Sequence, residues 1–378
     1  MKLNNAILDA VHAAMGLGGN PGEHRVVVAM SGGVDSSVAA CLLAERGYEV
    51  IGSHMRLVHL DEVEHGCCGP AARADAEAVA RIGGFPFEIT EMSEIFAERV
   101  IGDFVAEHEQ GRTPNPCARC NDEIKFGAFL HRADELGVDL VATGHYVRTE
   151  RDVTGWHLRR GADPSKDQTY MLHMLGQRQL SRSLFPVGGL SKTETRVLAE
   201  RFGLPVASKP DSQELCFAPS GDAGGFVRSQ APSLVHAGGE VVDPDGRVLA
   251  EHDGTFGFTV GQRRGLGVAL GAPAYVLEVD GPANRVVVGP RELLSRRALR
   301  ADRASWVAGE PPCDGPFEAE VRVRYRDVGV PAVVEPHGLE AFTVTFRSPQ
   351  RAVAPGQSAV IDRGDEVLGG GRIVSTFR

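Results

Sequence analysis

The chain has 378 residues, 42% hydrophobic content and a formal net charge of −10, which is too much sequence for one small core and implies two or three domains. No apolar run approaches membrane-spanning length, and the acidic balance argues against promiscuous nucleic-acid binding through bulk charge. Seven cysteines, an odd number scattered over the whole length, do not make the framework of a small secreted protein. The first residues read as a short helix and a Gly/Pro linker rather than a signal peptide, so the expected compartment is the cytoplasm.

In chain order, the first informative stretch is RVVVAMSGGVDSS, residues 25–37. Val26, Val27, Val28, Ala29 and Met30 form a β-branched apolar run, the mark of a strand covered on both faces. Ser31, Gly32 and Gly33 allow a sharp turn; Asp35, Ser36 and Ser37 then open a helix that runs over 38–46 and that Gly47 can cap. Unpaired N–H groups and the positive end of the helix dipole converge at that start, which suits phosphate. Neither G-x-x-x-x-G-K-[ST] nor G-x-G-x-x-G is present. The string S-G-G-V-D-S instead resembles the pyrophosphate loop of adenylating ATPases, which split ATP between the α and β phosphates and leave AMP on a substrate oxygen. The plain alternative is an ordinary glycine strand-to-helix turn.

Strands over 49–54, 85–89 and 138–142 alternate with helices over 71–82, 93–109 and 121–136, the pattern of a parallel sheet with helices on both faces. Ligands on such sheets sit beyond the carboxyl ends of the strands, where Ser31, the turn at 52–55 and Thr143-Gly144-His145 fall. From about Gly221 short strands replace helices: 240–242, 254–260, 275–279, 285–288, 318–326, 341–346 and 358–362. The expected division is an extension over 1–23, an α/β catalytic domain over 24–220, a small β-rich domain over 221–298 and a C-terminal β-barrel over 299–378. Residues 285–378 hold fourteen arginines against twelve acids, so a local RNA-facing patch survives the negative total.

The stretch GRTPNPCARCNDEIKF, residues 111–126, holds the chain extended with two prolines around Asn115. Cys117 and Cys120 then lead into a helix with Asn121 near its start, where the dipole and Arg119 favour thiolate. C-x-x-C alone is also half of a zinc site, or a pair of inert structural cysteines. Cys216, in KPDSQELCF, follows a polar turn where the α/β section ends. Cys41 lies among Ala and Leu in mid-helix and reads as core; Cys67-Cys68, beside His65, reads as an exposed spare pair.

Seven strings occur in order: S-G-G-V-D-S, G-R-T-P-N-P-x-x-x-C-N, A-T-G-H-Y, K-D-Q-T-Y-M-L, L-F-P-V-G, D-S-Q-E-L-C-F and G-Q-R-R-G-L-G. Together they resemble the tRNA-specific 2-thiouridylases from about Val26 to the C-terminus. That resemblance implies ATP-dependent 2-thiolation of the wobble uridine, U34, in the anticodon loop of tRNA, giving 2-thiouridine, AMP and pyrophosphate. Ala29, Met30, Ser31, Gly32, Gly33, Val34, Asp35 and Ser36 would hold the ATP phosphates, Met55 and Gly144 would touch the nucleotide, and Asp35 would help place Mg²⁺. Cys120 matches the nucleophile position and Cys216 the persulfide-bearing cysteine. Asn115, Pro116 and Cys117 match positions near the target base; His145, Lys166, Asp167, Gln168, Arg324, Tyr325 and Gln357 match positions that touch tRNA. The sulfur would come from a cysteine desulfurase or a sulfur-relay protein. Better-known members carry an acidic residue where this chain has Cys117, so no carboxylate base carries over to that position. The substitution creates the trio Cys117, Cys120 and Cys216, and three thiolates can hold a [4Fe–4S] cluster, the alternative to a persulfide relay.

Bland readings stand beside these. Lys166, Asp167 and Gln168 also suit a solvated turn, His145 a hydrogen-bonded sheet-edge histidine, and Arg322, Arg324 and Arg326 the exposed face of any wet strand. Two other functions fit parts of the sequence: an adenylating amidotransferase or ligase of the GMP-synthetase or NAD-synthetase kind, and a non-catalytic RNA-binding protein whose cysteines hold zinc.

Overall fold

The computed structural model describes residues 6, 9–10, 12–13, 20–58, 69–211, 215–218, 223–230, 238–268 and 271–378. Most of the expected N-terminal extension, the Cys67-Cys68 pair with His65, and Ser212, Gln213 and Glu214 lie outside the described residues.

The first strands are β1 (Arg25–Ala29), β2 (Glu49–Arg56), β3 (Phe87–Glu91) and β4 (Leu140–Ala142); the hairpin β5 (Val147–Asp152) and β6 (Gly155–Arg160) follows, then β7 (Ser183–Leu184). Five of them form a parallel sheet in the order β3-β2-β1-β4-β7. Val26, Val27 and Val28 have no exposed surface, as a central strand covered on both faces requires. The chain runs outward from β1 through β2 to β3, then returns to the other side of β1 with β4. That reversal is the switch point of a doubly wound sheet, and it opens a crevice beyond the carboxyl ends of β1 and β4.

The helix over Val34–Arg46 follows β1 and ends at Gly47, whose φ of 103° places it in the left-handed region. A second helix, Pro70–Gly83, starts on proline and buries Ala72, Ala76, Val79 and Ala80. A third runs through Ser93–Phe96, a π-helical stretch Ala97–Ile101 and Gly102–Glu109. A fourth runs through Pro116–Cys120, a π-helical stretch Asn121–Ala128 and Phe129–Glu135. It begins five residues before the expected start at Asn121, because Pro116 suits the first helical position and Asn115 caps it, Oδ1 accepting from the Ala118 N–H at 3.1 Å. Both thiols of the C-x-x-C string therefore lie within the helix.

The second sheet comprises β8 (Gly239–Val242), β9 (Val248–His252), β10 (Tyr275–Asp280) and β11 (Arg285–Gly289) in the order β10-β11-β8-β9, over a core of Val241, Val276, Val286 and Val288. The strand expected over 254–260 is instead a 3₁₀ turn, Thr255–Gly257. Gly254 there has φ 139°, and a Cβ on it would stand 2.2 Å from the Phe256 ring, so the ring folds back over a glycine that no extended ladder could use.

The C-terminal unit uses β12 (Ser295–Trp306), β13 (Phe317–Arg322), β14 (Val330–Pro336), β15 (Phe342–Arg351), β16 (Ser358–Arg363) and β17 (Glu366–Phe377). Pairing in the order β12-β15-β14-β13-β16-β17, with β12 also paired to β17, closes a six-stranded barrel around Leu299, Val321, Phe342, Val344, Ile361 and Ile373. The hairpin β5–β6 pairs with β17 and extends this barrel sheet from within the α/β section. β13 ends at Arg322, so the alternating arginine face expected over 318–326 does not form. Arg322 is 3% exposed and points inward to Asp362 at 2.6 Å and Asp167 at 3.3 Å, while Arg326 sits at φ 69° in the turn beyond.

The three units meet on the strap of residues 111–115. A Cβ on Gly281 of the middle unit would stand 2.1 Å from the Glu109 carbonyl and 2.4 Å from the Gly111 nitrogen. On the barrel side, the Thr113 N–H donates to the Pro355 carbonyl at 2.8 Å, and Gln357 Nε2 donates to the Thr113 carbonyl at 2.8 Å. Gly281→Ala forces two backbones apart, so the urea-unfolding free energy is expected to drop by about 1–3 kcal/mol. Gly315→Ala, where nothing lies within 4 Å of an added Cβ, is expected to stay within about 0.5 kcal/mol of the parent. Equal stability of the two variants would contradict the close backbone contact.

Candidate functional site

The loop after β1 is shaped for an anion. Gly32 has φ 67°, and its missing Cβ would lie 2.1 Å from the Ala72 carbonyl, so the loop rests on the start of the second helix. Gly33 caps the helix over Val34–Arg46 with no side-chain hydrogen bond, which leaves the first N–H groups facing outward. Ser36 Oγ accepts from the Ser31 N–H at 3.2 Å and holds the turn closed. From β4, Gly144 presses on the same helix start: a Cβ there would meet the Ser36 nitrogen at 2.4 Å. Met55, 9% exposed, lies near the end of β2. Two strand-end loops and one helix start thus line a single crevice.

The loop has no lysine of its own; two arrive from later in the chain. Lys192 Nζ donates to both carboxylate oxygens of Asp35 at 2.8 and 2.9 Å and to Asp211 Oδ1 at 2.7 Å, while Tyr146 donates its hydroxyl to Asp35 Oδ1 at 2.7 Å. Burial and the Asp35 charge hold the Tyr146 hydroxyl well above its ordinary pKa, so it remains a donor. Lys209 Nζ donates to the Gly32 carbonyl at 2.9 Å and to Asp75 at 2.6 Å. Asp211 also takes Lys166 Nζ at 2.8 Å and Arg196 at 3.5 Å; burial pushes its pKa up, but Lys166 and Lys192 outweigh that and hold it below the ordinary range. Sequence reasoning missed Lys192, Lys209, Asp211 and Tyr146. The string Ser191-Lys192-Thr193-Glu194 carried a readable signal, a capping box that does form and that fixes Lys192 at a helix start.

The nucleophile candidate sits at the far end of the strap. Asn115 Nδ2 contacts Met171 Sδ at 3.3 Å and Asn121 Nδ2 donates to the Met171 carbonyl at 2.9 Å, so the helix start is fixed from both sides of Cys117 and Cys120. Cys117 is exposed and Cys120 is 7% exposed. Arg119, expected to favour thiolate, is shared among Glu123 at 2.9 Å, Asp122 at 3.3 Å and Asp103 at 3.9 Å, so its charge is largely spent on carboxylates. Cys216 is partly buried against the core cluster that contains Cys120. The next residue, Phe217, stacks on Phe104, Phe226 and Phe96 at ring separations of 5.1, 4.8 and 6.0 Å. Helix Pro116–Cys120 packs on the π-helical stretch Ala97–Ile101, which lies between Phe96 and Phe104. Both cysteines therefore border one segment. Cys41 is buried and its thiol is pushed up to about 12 by burial and by Glu45, as a core residue should be.

Among the described residues no group of three or more His, Cys, Asp or Glu is placed to hold a metal. With Cys117 exposed and Cys120 buried, the trio with Cys216 does not fit a [4Fe–4S] cluster in this conformation. Mg²⁺ asks less, since the phosphates of a nucleotide supply most of its ligands and one carboxylate suffices; Asp35 is that carboxylate at the loop.

The residues matched to tRNA contact are heavily used inside the protein. Asp167 accepts from the Gly161 and Thr169 N–H groups at 3.1 and 3.2 Å and pairs with Arg322. Gln168 Oε1 accepts from the Tyr146 N–H at 2.9 Å, and Lys166 pairs with Asp211. Arg324 donates to the carbonyls of Arg351 and Ala352, Tyr325 packs 6.2 Å from Tyr170, and Gln357 holds the strap. His145 is 8% exposed, with Nδ1 2.8 Å from Thr143 Oγ1; burial, helped by Lys125, holds its pKa well below the ordinary histidine value. It meets a partner as a neutral ring.

Comparison with known proteins follows the same division. The chain matches the tRNA methyl transferase HUP domain over residues 24–220, the tRNA methyl transferase PRC-barrel domain over 230–290 and the aminomethyltransferase beta-barrel domain over 296–373. It is 48% identical over 359 residues to the tRNA-specific 2-thiouridylase MnmA of Geobacter metallireducens, covering 92% of this chain and 96% of that one. It is likewise 48% identical over 362 residues to the tRNA-specific 2-thiouridylase MnmA of Acidothermus cellulolyticus, covering 94% and 98%. Among solved structures it aligns with the U34-tRNA thiolase NcsA of Methanococcus maripaludis with its [4Fe-4S] cluster, at 17% identity, 61% and 72% coverage and a TM-score of 0.37. So loose a superposition carries no chemistry across.

Because the folded-state pKa of His145 lies below its unfolded value, stability is complete above that unfolded value, about 6.5, and falls as pH drops through it while the unfolded chain takes up the proton. His145→Gln is expected to flatten the pH dependence of the urea midpoint below pH 6.5 by up to about 1.4 kcal/mol per pH unit. An unchanged slope would contradict the neutral, buried ring.

Proposed function

The chain belongs to the tRNA-specific 2-thiouridylases, ATP-using tRNA sulfurtransferases, and we propose that it thiolates the wobble uridine, U34, by adenylation followed by persulfide transfer. The observation that carries this reading is that Cys120 and Cys216 border the same helical segment, in the domain whose sheet crevice holds the anion loop. Ala29 to Ser36 cradle the ATP phosphates, Asp35 helps place Mg²⁺, and Met55 and Gly144 line the nucleotide. The C2 oxygen of the uridine attacks the α-phosphorus, pyrophosphate leaves and the oxygen becomes part of a good leaving group, AMP.

Cys216, charged by a cysteine desulfurase or a sulfur-relay protein, carries the sulfur as a persulfide. The Cys120 thiolate attacks the Cys216 sulfur; the S–S bond of the persulfide breaks and hydrosulfide leaves with the electron pair. Hydrosulfide attacks C2, the C2–O bond to AMP breaks, a proton is lost and 2-thiouridine remains. The two cysteines end as a disulfide, which a thiol reductant returns to two thiols. Asn115, Pro116 and Cys117 lie beside the target base. A wobble uridine is already in a single-stranded loop, so drawing it into the pocket costs only a few kcal/mol. His145, Lys166, Asp167, Gln168, Arg324, Tyr325 and Gln357, with the units over 221–298 and 299–378, shape the surface that grips tRNA, and the reaction runs in the cytoplasm. No helix among the described residues is long and apolar enough to cross a membrane.

Cys120→Ser and Cys216→Ser are each expected to lower thiolation of unmodified tRNA at least a thousandfold while tRNA-dependent release of pyrophosphate from ATP persists. A variant that still forms 2-thiouridine at the parent rate would overturn the relay. Loss of pyrophosphate release in the parent protein would overturn the adenylation step.

A further inference from the structure

Cys216 lies between two anchors of different kinds. On its C-terminal side Phe217 is buried among Phe96, Phe104 and Phe226, an apolar contact indifferent to charge. Five positions before it in the chain, Asp211 is held by cations alone: Lys192 at 2.7 Å, Lys166 at 2.8 Å and Arg196 at 3.5 Å. Lys192 is the informative one. Its side chain is 12% exposed, and its ammonium bridges Asp211 to Asp35, the first acid of the helix that opens on the anion loop. One cation is thus shared between the nucleotide loop and the segment leading to the sulfur carrier.

We propose that Asp211 is a positioning residue through which the occupancy of the ATP site sets the exposure of the Cys216 sulfur. The inference rests on the reading of residues 29–36 as the ATP site. Triphosphate and its Mg²⁺ bring several charges to the loop; Mg²⁺ takes the Asp35 carboxylate and the phosphates attract the Lys192 ammonium. Asp211 then keeps only Lys166 and Arg196, both nearer to solvent than Lys192, and the ionic anchor loosens while the aromatic one holds. The persulfide carrier becomes more accessible when ATP is in place, which couples sulfur delivery to adenylation.

Alkylation of the full-length protein by iodoacetamide, read cysteine by cysteine by mass spectrometry, tests this. The probe is α,β-methylene-ATP with Mg²⁺, and exposed Cys313 is the internal reference. The analogue is expected to speed alkylation of Cys216 relative to Cys313 about two- to fivefold, the scale of one exchanged ion pair. Asp211→Asn is expected to show the fast rate without the analogue, to bind the analogue by equilibrium dialysis, and to show no further response. Because loss of the Asp211 charge could harm folding, Lys166→Gln serves as a second variant. It removes a cation that remains after Lys192 leaves, and the response should exceed that of the parent. A parent protein that binds the analogue without a change at Cys216, an Asp211→Asn variant that keeps the parent response, or a Lys166→Gln response no larger than the parent's would each overturn the inference alone. Failure of the parent to bind the analogue would overturn it together with the assignment of the loop.

Discussion

The strap at residues 111–115 is the constraint on which the rest of the structure depends. Gly111 lies against Gly281 of the middle sheet, so close that neither position has room for a Cβ, and Thr113 is held by Pro355 and Gln357 of the barrel. The strap runs straight into Asn115 and Pro116, the cap and first residue of the helix that carries Cys120. A thiol on this helix is therefore aimed by three units at once. Backbone contacts at van der Waals limits do not adjust by degrees, and a shift of either β-rich unit is passed to the nucleophile as a displacement. The barrel and the middle sheet thus have a mechanical part in the chemistry even where they lie away from it.

The second organising feature is electrostatic. A pyrophosphate loop without a lysine gets its cations from elsewhere in the chain, and Lys192 and Lys209 converge on it from beyond β7. In the same neighbourhood Asp35 and Asp211 share Lys192, so no carboxylate there lacks a counter-charge. Such a network is stable in the empty site and is rearranged by an incoming polyanion, because phosphate competes for the same ammonium groups. His145 contributes shape and a hydrogen bond rather than charge, since burial keeps it neutral.

Much of the fold could be read from the sequence because its signals are local. The β-branched run before Ser31, the glycines that permit the turn, and the alternation of strands with helices up to Ala142 each follow from a few consecutive residues. The site was legible where it coincided with such signals, as at Ser31 to Ser36. It was illegible where partners lie far apart: Lys192 and Asp35 are separated by 157 positions, Lys209 and Gly32 by 177, and no periodicity records an ion pair of that span. Arg322 misled for a related reason. Alternation with Arg324 and Arg326 looks like a wet strand face until Asp362, wholly buried and forty residues on, draws the first of them inward. The hairpin β5–β6 is strongly polar and gains its place only by pairing with β17 at the other end of the chain.

Both chemical and structural accounts come down to whether the Cys120 and Cys216 sulfurs meet during turnover. The direct measurement is a non-reducing peptide map after a single turnover of persulfide-loaded protein with ATP and unmodified tRNA, in the absence of reductant. The account predicts a Cys120–Cys216 linked peptide appearing in step with 2-thiouridine, one link for each thiolated base. Thiolated tRNA formed while both cysteines remain unlinked would contradict it.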